Sequence, residues 1–143
     1  MQEAIAEAQA AFDEGEVPVG AVVVLDGDIV GRGHNRSVKS GQPFEHAEVM
    51  ALWDAVARVG AHALNEAVLY VTVEPCVMCI GAVMLARVPR VVYGAREPRT
   101  GACESVLAIP NEPRLPNPVA VLGGIEAETC RELMQRFFAA RRD

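Results

Sequence analysis

The sequence predicts an α/β domain in three layers, with helices on both faces of a mixed five-stranded sheet. Short β-branched runs alternate with segments of helical periodicity, the first two runs meet at Asp26-Gly27, and 143 residues suit one core, a single domain over residues 1–143. Residues 4–14 space Ile5, Ala8 and Phe12 at helical intervals and stop at Gly15. Residues 17–25 and 29–33 read as strands, and the Asp-Gly between them supplies the positive φ of a tight antiparallel hairpin. After a polar loop over 37–44, residues 46–59 read as a helix whose core stripe is Val49, Leu52, Trp53 and Val56. Val68–Val73 reads as a buried strand, 76–87 as a second helix and 90–94 as another strand. Residues 95–118 hold five prolines and read as loop, before a last strand over 119–122 and a closing helix over 126–141. Alternating strands and helices imply βαβ crossovers and a largely parallel sheet, with the hairpin as its antiparallel edge. Functional groups in such folds gather where strands end and helices begin.

With 51% apolar and 22% charged residues the chain can bury a core and shows no tract suited to disorder. No apolar run approaches the roughly 18 residues of a membrane span, and the acidic N-terminus is unlike a signal peptide, so a cytoplasmic protein without membrane contact is expected. In that setting four cysteines, two of them spaced Cys-x-x-Cys, favour metal or redox chemistry over disulfides. The net charge of −6 argues against non-specific coating of nucleic acid, which needs Lys and Arg at phosphates. The acidity is local, however: residues 1–31 carry seven acidic side chains and no basic one. Arg87, Arg90, Arg96 and Arg99 form one basic cluster in sequence, and Arg131, Arg136, Arg141 and Arg142 a second. Each reads either as a solvated face or as an RNA-contacting one.

The chemistry concentrates in Val73-Glu74-Pro75-Cys76-Val77-Met78-Cys79, where a strand runs into a helix. Proline fixes φ and lacks an N–H, which a first helical turn tolerates, so Pro75 pins the entry. Cys76 and Cys79 are then i and i+3 on one face, and the helix N-terminus favours the thiolate that binds metal. Alone, the pair reads equally as a redox couple or half of a structural zinc site. Glu45-His46-Ala47-Glu48 puts His46 at the entrance of the preceding helix. One His and two Cys are three protein ligands, the number typical of catalytic zinc sites, whose fourth position goes to water. Such water ionises near neutrality and becomes a nucleophile. Glu48 is then the candidate proton carrier. Because i and i+2 do not share a helical face, it reaches the metal only if His46 stands at the frayed first turn. Cys103 and Cys130 read as ordinary semi-buried thiols, and His34 and His62 as polar or surface groups.

His-x-Glu followed by Pro-Cys-x-x-Cys is the pairing found in zinc deaminases, and the chain resembles one family among them, the bacterial tRNA adenosine deaminases. The resemblance runs nearly end to end, through Glu16-Val17-Pro18-Val19-Gly20-Ala21-Val22, Gly33-His34-Asn35-Arg36, residues 46–52, residues 69–79 and Phe137-Phe138-Ala139-Ala140-Arg141-Arg142. It implies a cytidine deaminase-like fold, one zinc ion (Zn2+) per subunit, a homodimer, and hydrolytic conversion of wobble adenosine to inosine in a tRNA anticodon loop. It also implies that Asn35 hydrogen-bonds the base, that the Ala47 backbone contacts it, that Val17, Val71 and Phe137 line the nucleotide's surroundings, and that Glu97 lies near the ribose. Glu97 departs from the Asp often found there, and the extra methylene moves the carboxylate. Leu115-Pro116-Asn117-Pro118 replaces a common Asn-His pair, and Pro110 and Pro113 interrupt a segment usually helical. The chain starts late in the family's usual first helix, which implies a shortened start. Because the metal motif does not encode substrate, deamination of free guanine, cytosine or cytidine is the alternative within enzymes. A non-catalytic zinc or RNA-binding module is the alternative outside them, and Glu48 argues against it, since a closed structural site has no use for that carboxylate.

Overall fold

The hairpin turns where the Asp-Gly pair permits it. In the computed structural model, which describes residues 1–142, Asp26 and Gly27 take φ of 52° and 81°, the paired positive values that a two-residue hairpin loop needs. The turn joins β1 (Gly20–Leu25) to β2 (Asp28–His34) in an antiparallel pair running from Gly20 opposite His34 to Leu25 opposite Asp28. β3 (Val68–Val73), β4 (Arg90–Ala95) and β5 (Ala120–Leu122) complete one sheet in the order β2-β1-β3-β4-β5. β1 also pairs antiparallel with β3, whereas β3–β4 and β4–β5 are parallel. The sheet is therefore mixed, as predicted, but only half parallel; the hairpin enters the sheet through β1, which reverses a second pairing.

The helices are α1 (Gln2–Asp13), a single turn α2 (Ser37–Ser40), α3 (Ala47–Val59), α4 (Val77–Leu85) and α5 (Ala127–Arg141). α1 and α5 touch each other and pack on β1 and β4, while α3 and α4 touch each other on the other side. The sheet is thus covered on both faces, with a core of Val23, Leu69, Val71, Ile80, Val83, Val91 and Tyr93.

The buried stripe of α3 differs from the expected one. Ala47, Glu48, Ala51, Leu52 and Ala55 are buried, while Val56 is exposed and Trp53 is 70% exposed. The reason lies on β2: a Cβ built at Gly33 would stand 2.5 Å from the Ala51 nitrogen, and one at Gly31 2.3 Å from the Ala51 carbonyl oxygen. Glycine on the strand and alanine on the helix let the two backbones touch, which large side chains on that face would prevent.

Three short elements lacked a periodic signal. α2 interrupts the expected loop, held by the fully buried Glu16, whose carboxylate accepts the Val38 and Lys39 N–H groups at 2.9 and 2.6 Å. Short 3-10 turns form over Ala61–Glu66 and Ile109–Asn111. β1 starts later than expected because residues 17–19 leave the sheet, with Val19 N–H bonded to the Val17 carbonyl at 2.8 Å. That departure turns Val17 and Val19 toward the site.

Candidate active site

Two helix entrances meet beyond the C-terminal end of β3. His46 is the N-cap of α3, with φ −80° and ψ 155°, and Cys76 the N-cap of α4, with φ −78° and ψ 179°. Both are extended residues one step outside their helices, and Cys79 lies in the first turn of α4. His46 Nδ1 is 3.7 Å from Cys76 Sγ and 3.3 Å from Cys79 Sγ, and the three ligand atoms all lie within 4.8 Å of one another. Around a tetrahedral zinc ion, with Zn–S near about 2.3 Å and Zn–N near about 2.0 Å, such atoms stand roughly 3.5 to 3.8 Å apart. The residues fit that ion.

The two sulfurs share a proton unequally. A hydrogen bond from Cys79, reinforced by His46, pulls the Cys76 pKa down to about 4 against the opposing effect of burial. Donating that bond, and burial, push the Cys79 thiol up. The His46 pKa is raised by its hydrogen bond to Cys76. A thiolate is the form that binds metal, and metal binding releases the remaining proton.

Glu48 opens the first turn of α3, 4% exposed and beside Cys79. The extended cap at His46 frees the pair from the i, i+2 separation of a regular helix, and both side chains line one cavity of about 280 Å³. Burial raises the Glu48 pKa, outweighing its own backbone N–H and the nearby His46. A pKa moved upward suits a carboxyl that must both take and give a proton. Asn35, at the end of β2 and 8% exposed, accepts the Ala47 N–H on Oδ1 at 2.9 Å. The bond satisfies one of the free donors of α3 and leaves the Asn35 NH2 group available to a ligand.

Val17, Asn35, His46, Glu48, Cys76 and Glu97 all line this cavity. Val71 does not; it is fully buried in β3, and Val73, two residues on, reaches the wall instead. Phe137 is packed against Phe12 and Phe138 with Arg141 over its ring, and Phe138 and Met134 face the cavity. Met134 carries no sequence signal, and the closing Phe137-Phe138 segment does not tell which of its two rings reaches the cavity; that follows from where α5 lies. The Glu97 carboxylate accepts the Arg99 N–H at 2.9 Å. The first arginine cluster is divided: Arg87 precedes β4, Arg90 is its first residue, and Arg96 and Arg99 follow its last, so the length of the strand, roughly 20 Å, separates the two pairs. Only the second pair stands at the site end. Cys103 and Cys130 are buried away from the ligand group, His34 is held between Glu7 and Glu14, and His62 is exposed.

Comparison with known proteins agrees with this geometry. Residues 1–95 match the family described as the cytidine and deoxycytidylate deaminase zinc-binding region. Over all 143 residues the chain is 45% identical to a tRNA-specific adenosine deaminase of Streptococcus pyogenes, covering 90% of that protein. A solved structure from a study of A-to-I editing by tRNA deaminases at the wobble position superposes with a TM-score of 0.88 at 38% identity, covering 93% of this chain and 96% of that one. A guanine deaminase from Nitrosomonas europaea shares the fold at a TM-score of 0.77 and 24% identity, over 96% of this chain and 82% of that one. The family match over residues 1–95 and the 45% identity over the whole chain show that the chain belongs to the zinc-binding cytidine and deoxycytidylate deaminase family, its relatives over that full length being tRNA-specific adenosine deaminases.

Proposed function

We propose that the protein hydrolyses adenosine to inosine at the wobble position of tRNA. The observation that carries this reading is Glu48, buried beside a His-Cys-Cys group in a cavity sized for one ring system, in a chain 45% identical over its full length to tRNA-specific adenosine deaminases. His46, Cys76 and Cys79 would hold one zinc ion per subunit, which when bound supplies an activated water. Glu48 would carry both protons of the attacking water, the first to the purine ring nitrogen beside C6, where it stays, and the second to the amine leaving C6. Adenosine and water thereby become inosine and ammonia. The Asn35 NH2 group donates to the base while its oxygen keeps the Ala47 backbone in place. Val17 and Phe138 close on the ring, and Glu97 and Arg99 stand at the rim toward ribose and phosphate. An anticodon loop suits such a site because its bases unstack readily.

The test is ammonia release and inosine sequencing with an anticodon stem-loop, against free guanine, cytosine and cytidine. Inosine at the wobble position is expected; turnover of the small molecules alone retires this reading in favour of a free-base deaminase.

The same reading makes the protein a cytoplasmic homodimer. Trp53 and Leu85, 70% and 86% exposed, together with Val56 and Val77, leave large apolar groups on the α3/α4 layer, as a self-complementary interface requires. Sedimentation equilibrium is expected to give twice the 15.3 kDa chain mass, with Leu85→Asp shifting the protein to monomer; a monomeric wild type at micromolar concentration removes the dimer. Among the described residues no helix is long and apolar enough to cross a membrane.

A further inference from the structure

Glu74 sits two residues before the first cysteine ligand, is 3% exposed, and has no part in the chemistry described above. Five donors converge on its carboxylate. Oε1 accepts the Glu97 N–H at 3.2 Å and the Ser105 hydroxyl, and Oε2 accepts the N–H groups of Cys103, Glu104 and Ser105 at 3.1, 2.9 and 2.9 Å. Every partner donates, so the group acts as an ionised carboxylate, an acceptor only. Residues 97–105 wrap around this one side chain so closely that a Cβ at Gly101 would lie 2.4 Å from Glu74 Cδ. The wrapped segment carries Glu97, Arg99 and Thr100, which form one wall of the cavity, while the wall bearing Glu48 belongs to α3.

The far end of the segment has other anchors: Ala102 N–H bonds the Pro75 carbonyl at 2.9 Å, and Glu104 accepts the Tyr93 hydroxyl at 2.8 Å. The near end leaves β4 at Ala95, whose carbonyl accepts the Glu74 N–H at 2.8 Å, and beyond that strand pairing it is held by the Glu74 carboxylate and by a bond from Gly101 N–H to the Glu97 carbonyl within the segment itself. The Glu97 N–H is thus tied to the Glu74 carboxylate two residues beyond the strand pairing that fixes Ala95.

We infer that Glu74 is a positioning residue that fixes the 97–105 wall against the metal-ligand strand and thereby sets substrate binding, without taking part in proton transfer. The inference deepens the proposed function and rests on it for the identity of the substrate. A carboxamide has the same shape but one accepting oxygen, and its NH2 faces donors. In Glu74→Gln the wall loosens while His46, Cys76, Cys79 and Glu48 keep their places.

The experiment compares zinc-loaded wild type, Glu74→Gln and Gly101→Ala. The second variant keeps the carboxylate but forces the segment off it, and so reports on the wall even if Glu74→Gln folds poorly. For each, KM and kcat on the anticodon stem-loop, zinc content and amide hydrogen exchange of residues 97–105 are measured. Both variants are expected to retain zinc, to raise KM by about tenfold with kcat nearly unchanged, since a loosened wall removes binding made equally to substrate and transition state, and to lose protection at residues 103–105. The double variant should be no worse than the weaker single one. Unchanged KM, a fall in kcat alone, or exchange at 103–105 that is already fast in wild type overturns the inference. Should wild type turn over only a free base, the tRNA reading fails instead; the same measurements on that base, with exchange, still decide whether Glu74 sets the wall.

Discussion

Glu48→Ala is expected to lower kcat on the stem-loop by about 10² to 10⁴-fold, the usual worth of a positioned acid–base group, with zinc content and thermal unfolding retained. Glu48→Gln should fall as far, because it keeps the volume and polarity of the side chain and loses only its capacity to carry a proton. The reason is local. Glu48 is buried at the floor of the cavity with His46 and Cys76 in the same wall, and among the cavity-lining residues the other carboxylates, Glu74 and Glu97, are occupied by loop donors. No neighbour is free to substitute. Single-turnover assays with metal analysis check the result, and near-normal kcat in either variant would remove Glu48 from the proton path.

Cys79→Ala is expected to abolish both zinc binding and turnover while leaving the chain folded. Cys79 is fully buried in the first turn of α4, and its loss leaves one imidazole and one sulfur, too few for a stable site. The fold itself does not depend on the ion, because a continuous core spans the sheet and both helix layers, unlike small domains that only metal can organise. Zinc should instead add stability by mass action, about 3 to 4 kcal/mol at free metal 100 to 1,000 times the dissociation constant. Chelation of wild type therefore lowers the unfolding midpoint, and the Cys79→Ala midpoint is insensitive to zinc and chelator alike. Calorimetry with metal analysis distinguishes the cases; a variant that still holds one equivalent of zinc contradicts the ligand assignment.

Much of this was legible in the chain because the signals were local. The Asp26-Gly27 turn, the β-branched run of β3 and the Pro75-Cys76 helix entrance are properties of a few adjacent residues, whereas His46, read as the start of a helix over 46–59, proved to be an extended cap one step outside α3. Each follows from backbone sterics or from the needs of a helix terminus. By itself, then, the amino-acid order determined the succession of strands and long helices and the ligand chemistry they carry, but not the short α2 and 3-10 turns between them. The tertiary structure decided what depends on distant partners. Which face of α3 is buried was set by Gly31 and Gly33 on a neighbouring strand, which admit alanine where the periodicity pointed to Trp53 and Val56. The direction of β1 against β3, the separation of Arg90 from Arg99 by a strand length, the arrival of Phe138 at the cavity and the wrapping of residues 97–105 around Glu74 belong to the same class. Burial and close approach are properties of pairs of segments, and no window of sequence contains both members of such a pair.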